Sequence, residues 1–303
     1  MHNGWRVVAD LGLGVLRARG ADTRAFLQGQ LSNDVMRLEP GRLQLSGYHT
    51  PQGRTIALLR LTPLAADDVL ALLPRELVTP VLARLKRYVL RARVQLTDDS
   101  AQWTILGYQG PAPAVPAGAL CLPYDSSRQL MLIPGSSGPP AQDAPLGTAA
   151  DWAASDIAAG LPQVFVPTSE AFVAQMLNLD LTGGIALDKG CYTGQEIIAR
   201  AHYRGQVKRR MQRFVSDSSC TLQPGAGGVL SDGRAFKVVT SVTLADGRCE
   251  FLAVANPAAG VGTAREPRED FEPAAEMHDR TPLAVQQLAL PYELPAPRSA
   301  PGT

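Results

Sequence analysis

The chain lacks a close cysteine pair. Its four cysteines, Cys121, Cys191, Cys220 and Cys249, are separated by 70, 29 and 29 residues, so sequence neighbours form neither a zinc knuckle nor a redox CxxC. Four thiols in 303 residues do not demand a disulfide, and reduced cytoplasmic thiols are the simpler expectation. Charge of one sign is missing too. Lys and Arg number 29 against 28 Asp and Glu, a formal charge of +1, which disfavours a nucleic-acid binder held by one broad basic face. No window approaches about 18 uninterrupted apolar residues, the run an ordinary membrane-spanning helix needs. The start, "MHNGWRVVADLG", has no positive region followed by an apolar stretch of the kind a secretory signal carries. A cytoplasmic chain with no membrane partner is therefore expected, and a monomer is expected alongside, though nothing in the pattern fixes the oligomeric state. "LGLGVLRARG" puts Arg17 where a dinucleotide-binding loop needs a further glycine, and neither a tandem repeat nor a catalytic triad is present.

What is there suffices for sizeable cores: 45% of residues are hydrophobic, enough for two or three structural units. Asp22 is placed to cap a short helix through Ala25, Phe26 and Leu27, with Gly29 at its exit. "GRTIALLRL" reads as a buried strand around residues 54–61, "DVLALLP" (68–74) as another strand whose leucines also permit helix, and Thr79-Pro80 as the entrance to a helix carrying Leu82, Leu85 and Val89. "QWTILGY" is a further strand. Phe172, Met176 and Leu179 recur at helical spacing after Pro167. "GPAPAVPAG" (110–118) and "PGSSGPPAQDAP" (134–145) read as linkers or exposed loops. Beyond residue 205 the chain turns β-rich, with a hairpin signal at Asp246-Gly247 and a similar turn at "SDGR" (231–234).

One stretch concentrates chemistry: "DKGCYTGQEIIAR", residues 188–200. Lys189 can favour a thiolate at Cys191 or contact an anion, and Tyr192 adds a phenol. Gly190 and Gly194 permit close backbone approach to a flat ligand. Gln195 offers a carbonyl and an amide, Glu196 an acceptor, and Arg200 with Arg204 can bind carboxylate or phosphate. Two readings of Cys191 stand at this point, a functional thiol and a buried cysteine in a glycine-bounded turn.

The core "KGCYTGQE", with "FLQGQLSNDV" (26–35), "GYHTPQGR" (47–54), "QMLNLD" (175–180) and "LALPYEL" (288–294), closely resembles the signatures of the YgfZ family of folate-binding proteins. That family is related in fold to the aminomethyltransferase T-protein of glycine cleavage and to mitochondrial iron–sulfur assembly factors. The resemblance implies an α+β, three-part T-protein-like arrangement around a central folate cavity. An N-terminal α/β part would span 1–109, a central α/β part with the cysteine signature 110–205, an antiparallel C-terminal β-barrel 206–295, and a flexible tail 296–303. It implies binding of tetrahydrofolate or a related reduced folate, and a role in assembly or repair of iron–sulfur proteins under oxidative stress. Support of tRNA modification would follow indirectly, through client or assembly partners that require clusters. A stable cluster on the chain itself, and direct RNA contact through the basic run at 202–210, are left open.

Within the signatures, Cys191 ranks first as the functional thiol, with Lys189 beside it. Gln28, Gln30, Asn33, Asp34, Tyr192, Gln195, Glu196 and Arg54 are candidate folate contacts, Arg54 for the glutamate tail. Two alternatives accompany this reading: a folate-dependent one-carbon or aminomethyl transferase, and a non-catalytic folate-regulated scaffold. No metal ligand set is assigned.

Overall fold

The structure, a computed structural model, describes residues 6–110, 115–135, 146–203, 207–257 and 282–295. In chain order the elements are β1 (Arg6–Val8), β2 (Leu13–Arg19), α1 (Thr23–Gln30), β3 (Gln44–His49), β4 (Thr55–Ala65), β5 (Asp68–Pro74), α2 (Arg75–Lys86) and β6 (Gln95–Asp98). They continue with β7 (Trp103–Gln109), β8 (Leu120–Pro123), β9 (Arg128–Pro134), α3 (Ala149–Ala158) and α4 (Gln195–Tyr203). Last come β10 (Arg210–Ser219), β11 (Gly227–Val229), β12 (Ala235–Thr243), β13 (Arg248–Ala255) and β14 (Val285–Leu288).

Three sheets result, ordered β3-β4-β5-β2-β6, β1-β7-β9-β8 and β11-β12-β13-β10-β14, and every strand pairing in them is antiparallel. The fold is α+β. β1 leaves the amino end to pair with β7, so the second sheet takes strands from both sides of the first. β4 is buried along nearly its whole length because both faces are covered. One face joins Leu59 and Leu61 to α1 and α2 in the main core, and the other packs towards the second sheet through neighbours such as Leu70 and Leu72.

The C-terminal barrel is corrected by the strand order. β11 and β14 are the two edges of an open sheet, and among the described residues a single isolated bridge, Leu230 to Leu283, spans the gap. Edge strands of three and four residues are too short to carry the staggered ladder that closure requires. The Asp246-Gly247 hairpin does join β12 to β13, closed by Leu244 N–H on Arg248 O at 2.8 Å.

Local expectations also shift. The stretch after Pro167 forms two short 3-10 turns, Val166–Thr168 and Ala174–Leu177. Its backbone is engaged elsewhere: Glu170 N–H donates to Thr55 O and Thr55 N–H to Phe172 O, which pins the turn at 170–172 against β4. Phe172, Leu177 and Leu179 are fully buried all the same, because helical spacing reported burial rather than helix. α2 starts at Arg75, not at Thr79, and carries Pro80 inside. Residues 111–114 and 136–145 of the expected linkers, Arg204, and the tail 296–303 lie outside the described residues.

Candidate functional site

α1 ends where the first signature turns back on itself. Gln28 closes that turn with both ends of its amide, Nε2 donating to Asp34 Oδ1 at 2.9 Å and Oε1 accepting from Val35 N at 2.7 Å. Asn33 is equally occupied, donating through Nδ2 to Leu45 O and to Gly183 O at 2.7 Å each, and accepting from Asp34 N. Asp34 caps the following turn at Met36 N and pairs with Arg37 at 3.0 Å.

The cysteine signature lies against this turn. Lys189 is buried, and its ammonium donates to Gln28 O at 2.8 Å, Leu31 O at 2.6 Å and Asn33 O at 2.7 Å. Three donors meet three carbonyls, two at the end of α1 that have no helical partner and one in the turn that follows. Tyr192 covers the ammonium, its ring centroid 4.9 Å from Nζ. Burial pulls the Lys189 ammonium down to about 8, opposed by the charge of Asp34, and pushes the Tyr192 phenol up to about 12. Both residues keep their ordinary protonation at neutral pH. Lys189 therefore holds the loop to α1, with every donor occupied.

Gly194 ends the loop against the third signature. Its φ is +83°, and a Cβ there would stand 2.5 Å from Thr50 O and 3.3 Å from Gly53 Cα. The turn from Thr50 to Arg54 and the start of α4 thus touch backbone to backbone. Below them His49 is buried; Thr55 Oγ1 lies 3.3 Å from its Nδ1, and its Nε2 has no partner among the described residues. Burial pushes the imidazole down to about 3. The unfolded chain then binds a proton below pH 6.5 that the folded chain excludes. Stability should fall as pH drops from 6.5 towards 3, by up to about 1.4 kcal/mol per pH unit from this group. His49→Leu should flatten the acid limb of the stability profile measured by circular dichroism; an unchanged slope would show that His49 is not the group responsible.

Cys191 sits between these two anchors and is exposed, as are Gly190 and Glu196, whereas Gln195 opens α4 half-buried. The sulfur is not sealed in a core. Among the described residues no three His, Cys, Asp or Glu side chains gather as a metal site.

A cleft of about 370 Å³ opens beside the first turn, between the β3 edge of the first sheet, Tyr124 of the second, and the segments at Leu161 and Thr182-Gly183. Asn33, Arg37, Gln44, Leu45 and Arg60 complete much of its wall. Arg37 Nη2 reaches Asp188 at 2.8 Å, and Cys191 follows Asp188 by three residues, at most about 10 Å of chain. A larger hollow, about 600 Å³, lies on the second sheet around Gln109, Asp125 and Arg128, and none of the signature stretches lines it.

Of the residues singled out in the sequence, Asn33 lines the cleft, and Gln28, Asp34, Lys189 and Tyr192 build the wall behind it. Gln30 is half-buried, its Oε1 without a partner among the described residues, outside the cleft lining. Arg54 stands at the far end of the β3–β4 hairpin, donating to Ala171 O at 3.2 Å. In the basic run, Arg210 is buried and paired with Asp180 at 2.8 Å, which removes it from any phosphate-binding face. Sequence reasoning missed Arg60, Gln44 and Tyr124. Arg60 did leave a signal, one cation inside the apolar run "TIALLRLTPL".

The three-sheet arrangement is that of an aminomethyltransferase T fold. The solved glycine cleavage aminomethyltransferase T of Bartonella henselae superposes with a TM-score of 0.63 over 83% of this chain and 78% of that one, at 14% identity. No family model matches the chain. Among curated proteins, the tRNA-modifying protein YgfZ of Cronobacter sakazakii is 30% identical over 280 residues, covering 83% of this chain and 84% of that protein. An uncharacterized protein of Haemophilus influenzae is 33% identical over 204 residues, 66% of this chain and 70% of its own length. The chain belongs to the YgfZ family. No helix of the described residues is long and apolar enough to cross a membrane.

Proposed function

We propose that this protein binds a reduced folate in the cleft beside Asn33 and assists the assembly or repair of iron–sulfur proteins, with Cys191 as its working thiol. Support of tRNA modification, the activity named for its YgfZ relatives, then follows through enzymes that need such clusters. The observation that carries this reading is the convergence of three signature stretches on one another, the first of which reaches the cleft through Asn33, with one exposed cysteine on the loop they hold. Lys189 and Gly194 fix that loop at both ends, so a thiol is presented from a rigid frame rather than from a floppy one.

The cleft fits the ligand class. Its volume falls in the range of small-molecule sites, and its wall combines apolar surface from Leu38, Leu43, Leu45 and Leu161 with a larger polar share that includes the cations Arg37, Arg42 and Arg60, suited to an anionic ligand. A reduced folate, when bound, supplies a one-carbon carrier. The chain's own residues supply the walls, the donors and a sulfur nucleophile or soft ligand for iron. The iron–sulfur contact of Cys191 is read as a transient one, on a client's cluster.

Cys191→Ser tests the thiol. An exposed residue of this kind should leave stability within about 0.5 kcal/mol and folate affinity nearly unchanged. In cells whose own copy is deleted, the variant should fail to restore cluster-dependent tRNA modification, read by mass spectrometry of tRNA nucleosides. Full restoration would point to a folate-regulated scaffold instead.

A further inference from the structure

Arg60 is the anomaly of the cleft. It is 6% exposed, stands in the middle of β4, and lines the cleft from the face of the first sheet that turns towards the second. Its cross-strand neighbours are Leu45 and Leu72, which offer no acceptor. Its Nη1 is buried with no hydrogen-bond partner, and no carboxylate among the described residues stands within ion-pair distance of it. The guanidinium lies over the Tyr124 ring at 4.5 Å, while Arg128 takes a position 4.8 Å from the same ring. Asp156, the nearest group able to answer the charge, is already bound to Arg128 at 2.8 Å. A buried guanidinium without an acceptor costs free energy that ring contact only partly offsets. Chains keep such a group where a ligand completes it.

We infer that Arg60 is a specificity-determining residue that receives a carboxylate of the ligand at the floor of the cleft. A planar, permanently charged donor fork selects carboxylate over neutral carbonyls. Resting on the folate reading, the acceptor is a carboxylate of the glutamate tail. This assignment replaces Arg54, which stands at the opposite end of the hairpin.

Three probes separate the possibilities in calorimetric and thermal-shift titrations of the full chain: 5-formyltetrahydrofolate, the same compound lacking glutamate, and p-aminobenzoylglutamate. The wild type should bind the full folate about 10- to 100-fold more tightly than the truncated one, the span of one charge-assisted contact. Arg60→Met should bind the two equally and lose p-aminobenzoylglutamate, while its ligand-free melting temperature equals or exceeds that of the wild type. Arg60→Lys should recover part of the difference. Equal weakening of both folates by Arg60→Met would place Arg60 at the pterin and overturn the assignment. A lower ligand-free melting temperature with unchanged affinities would make the residue structural, and overturns it too. Wild-type protein that binds p-aminobenzoylglutamate through Arg60 but neither folate would sink the folate reading alone. Failure to bind any of the three would sink the carboxylate receptor.

Discussion

Lys189→Met should destabilise the protein by about 2–4 kcal/mol and lower its melting temperature by several degrees, without any change in the number of buried methylenes that would account for it. Three carbonyls, Gln28 O, Leu31 O and Asn33 O, lose their common donor at once. Each is a buried or half-buried acceptor at the end of α1 or in the turn after it, and each unsatisfied acceptor costs about 1 kcal/mol or more. Relief from burying an ammonium offsets part of this, which is why the expected total is well below the plain sum. Lys189→Arg should not rescue, because a flat fork cannot reach three carbonyls arranged around a single ammonium. Urea unfolding of the three proteins decides it. An Arg variant as stable as the wild type would mean that charge alone matters here.

The second large effect separates two glycines that the sequence presents as equivalents. Gly194→Ala should cost about 2–4 kcal/mol: the residue has φ +83°, and the new methyl would meet Thr50 O at 2.5 Å, a backbone atom that cannot swing aside as a side chain would. Gly190→Ala should cost less than about 0.5 kcal/mol, since nothing lies within 4 Å of its Cβ position and its φ is not left-handed. Gly194→Ala should also detach the Cys191 loop from the Thr50 turn, raising the rate at which the thiol is alkylated. Comparable stability for the two variants would contradict the packing described.

The legible parts of the molecule were those where one residue type has one physical use. A glycine-bounded cysteine beside a lysine marked the loop, and the alternation and turn chemistry of residues 235–255 marked the β12–β13 hairpin. The roles inside the loop were not legible. Lys189 is two residues from Cys191, yet its ammonium points to carbonyls 156 to 161 positions away in sequence. Gln28 and Asp34 look like ligand groups, yet they satisfy one another. The 3-10 turns near Phe172 were hidden because burial and helix share a spacing, and Thr55 competes for that backbone. Sheet closure was beyond reach as well, because it depends on the lengths of β11 and β14 rather than on their composition.

The account depends on the cleft and the thiol belonging to one site. Its most direct test is the rate of Cys191 alkylation by iodoacetamide, followed by peptide mass spectrometry, with and without saturating 5-formyltetrahydrofolate. Folate should slow labelling of Cys191 severalfold while leaving the half-buried Cys121 and Cys220 at their own rates. Binding of the folate with no change at Cys191 would separate the thiol from the cleft and contradict the account.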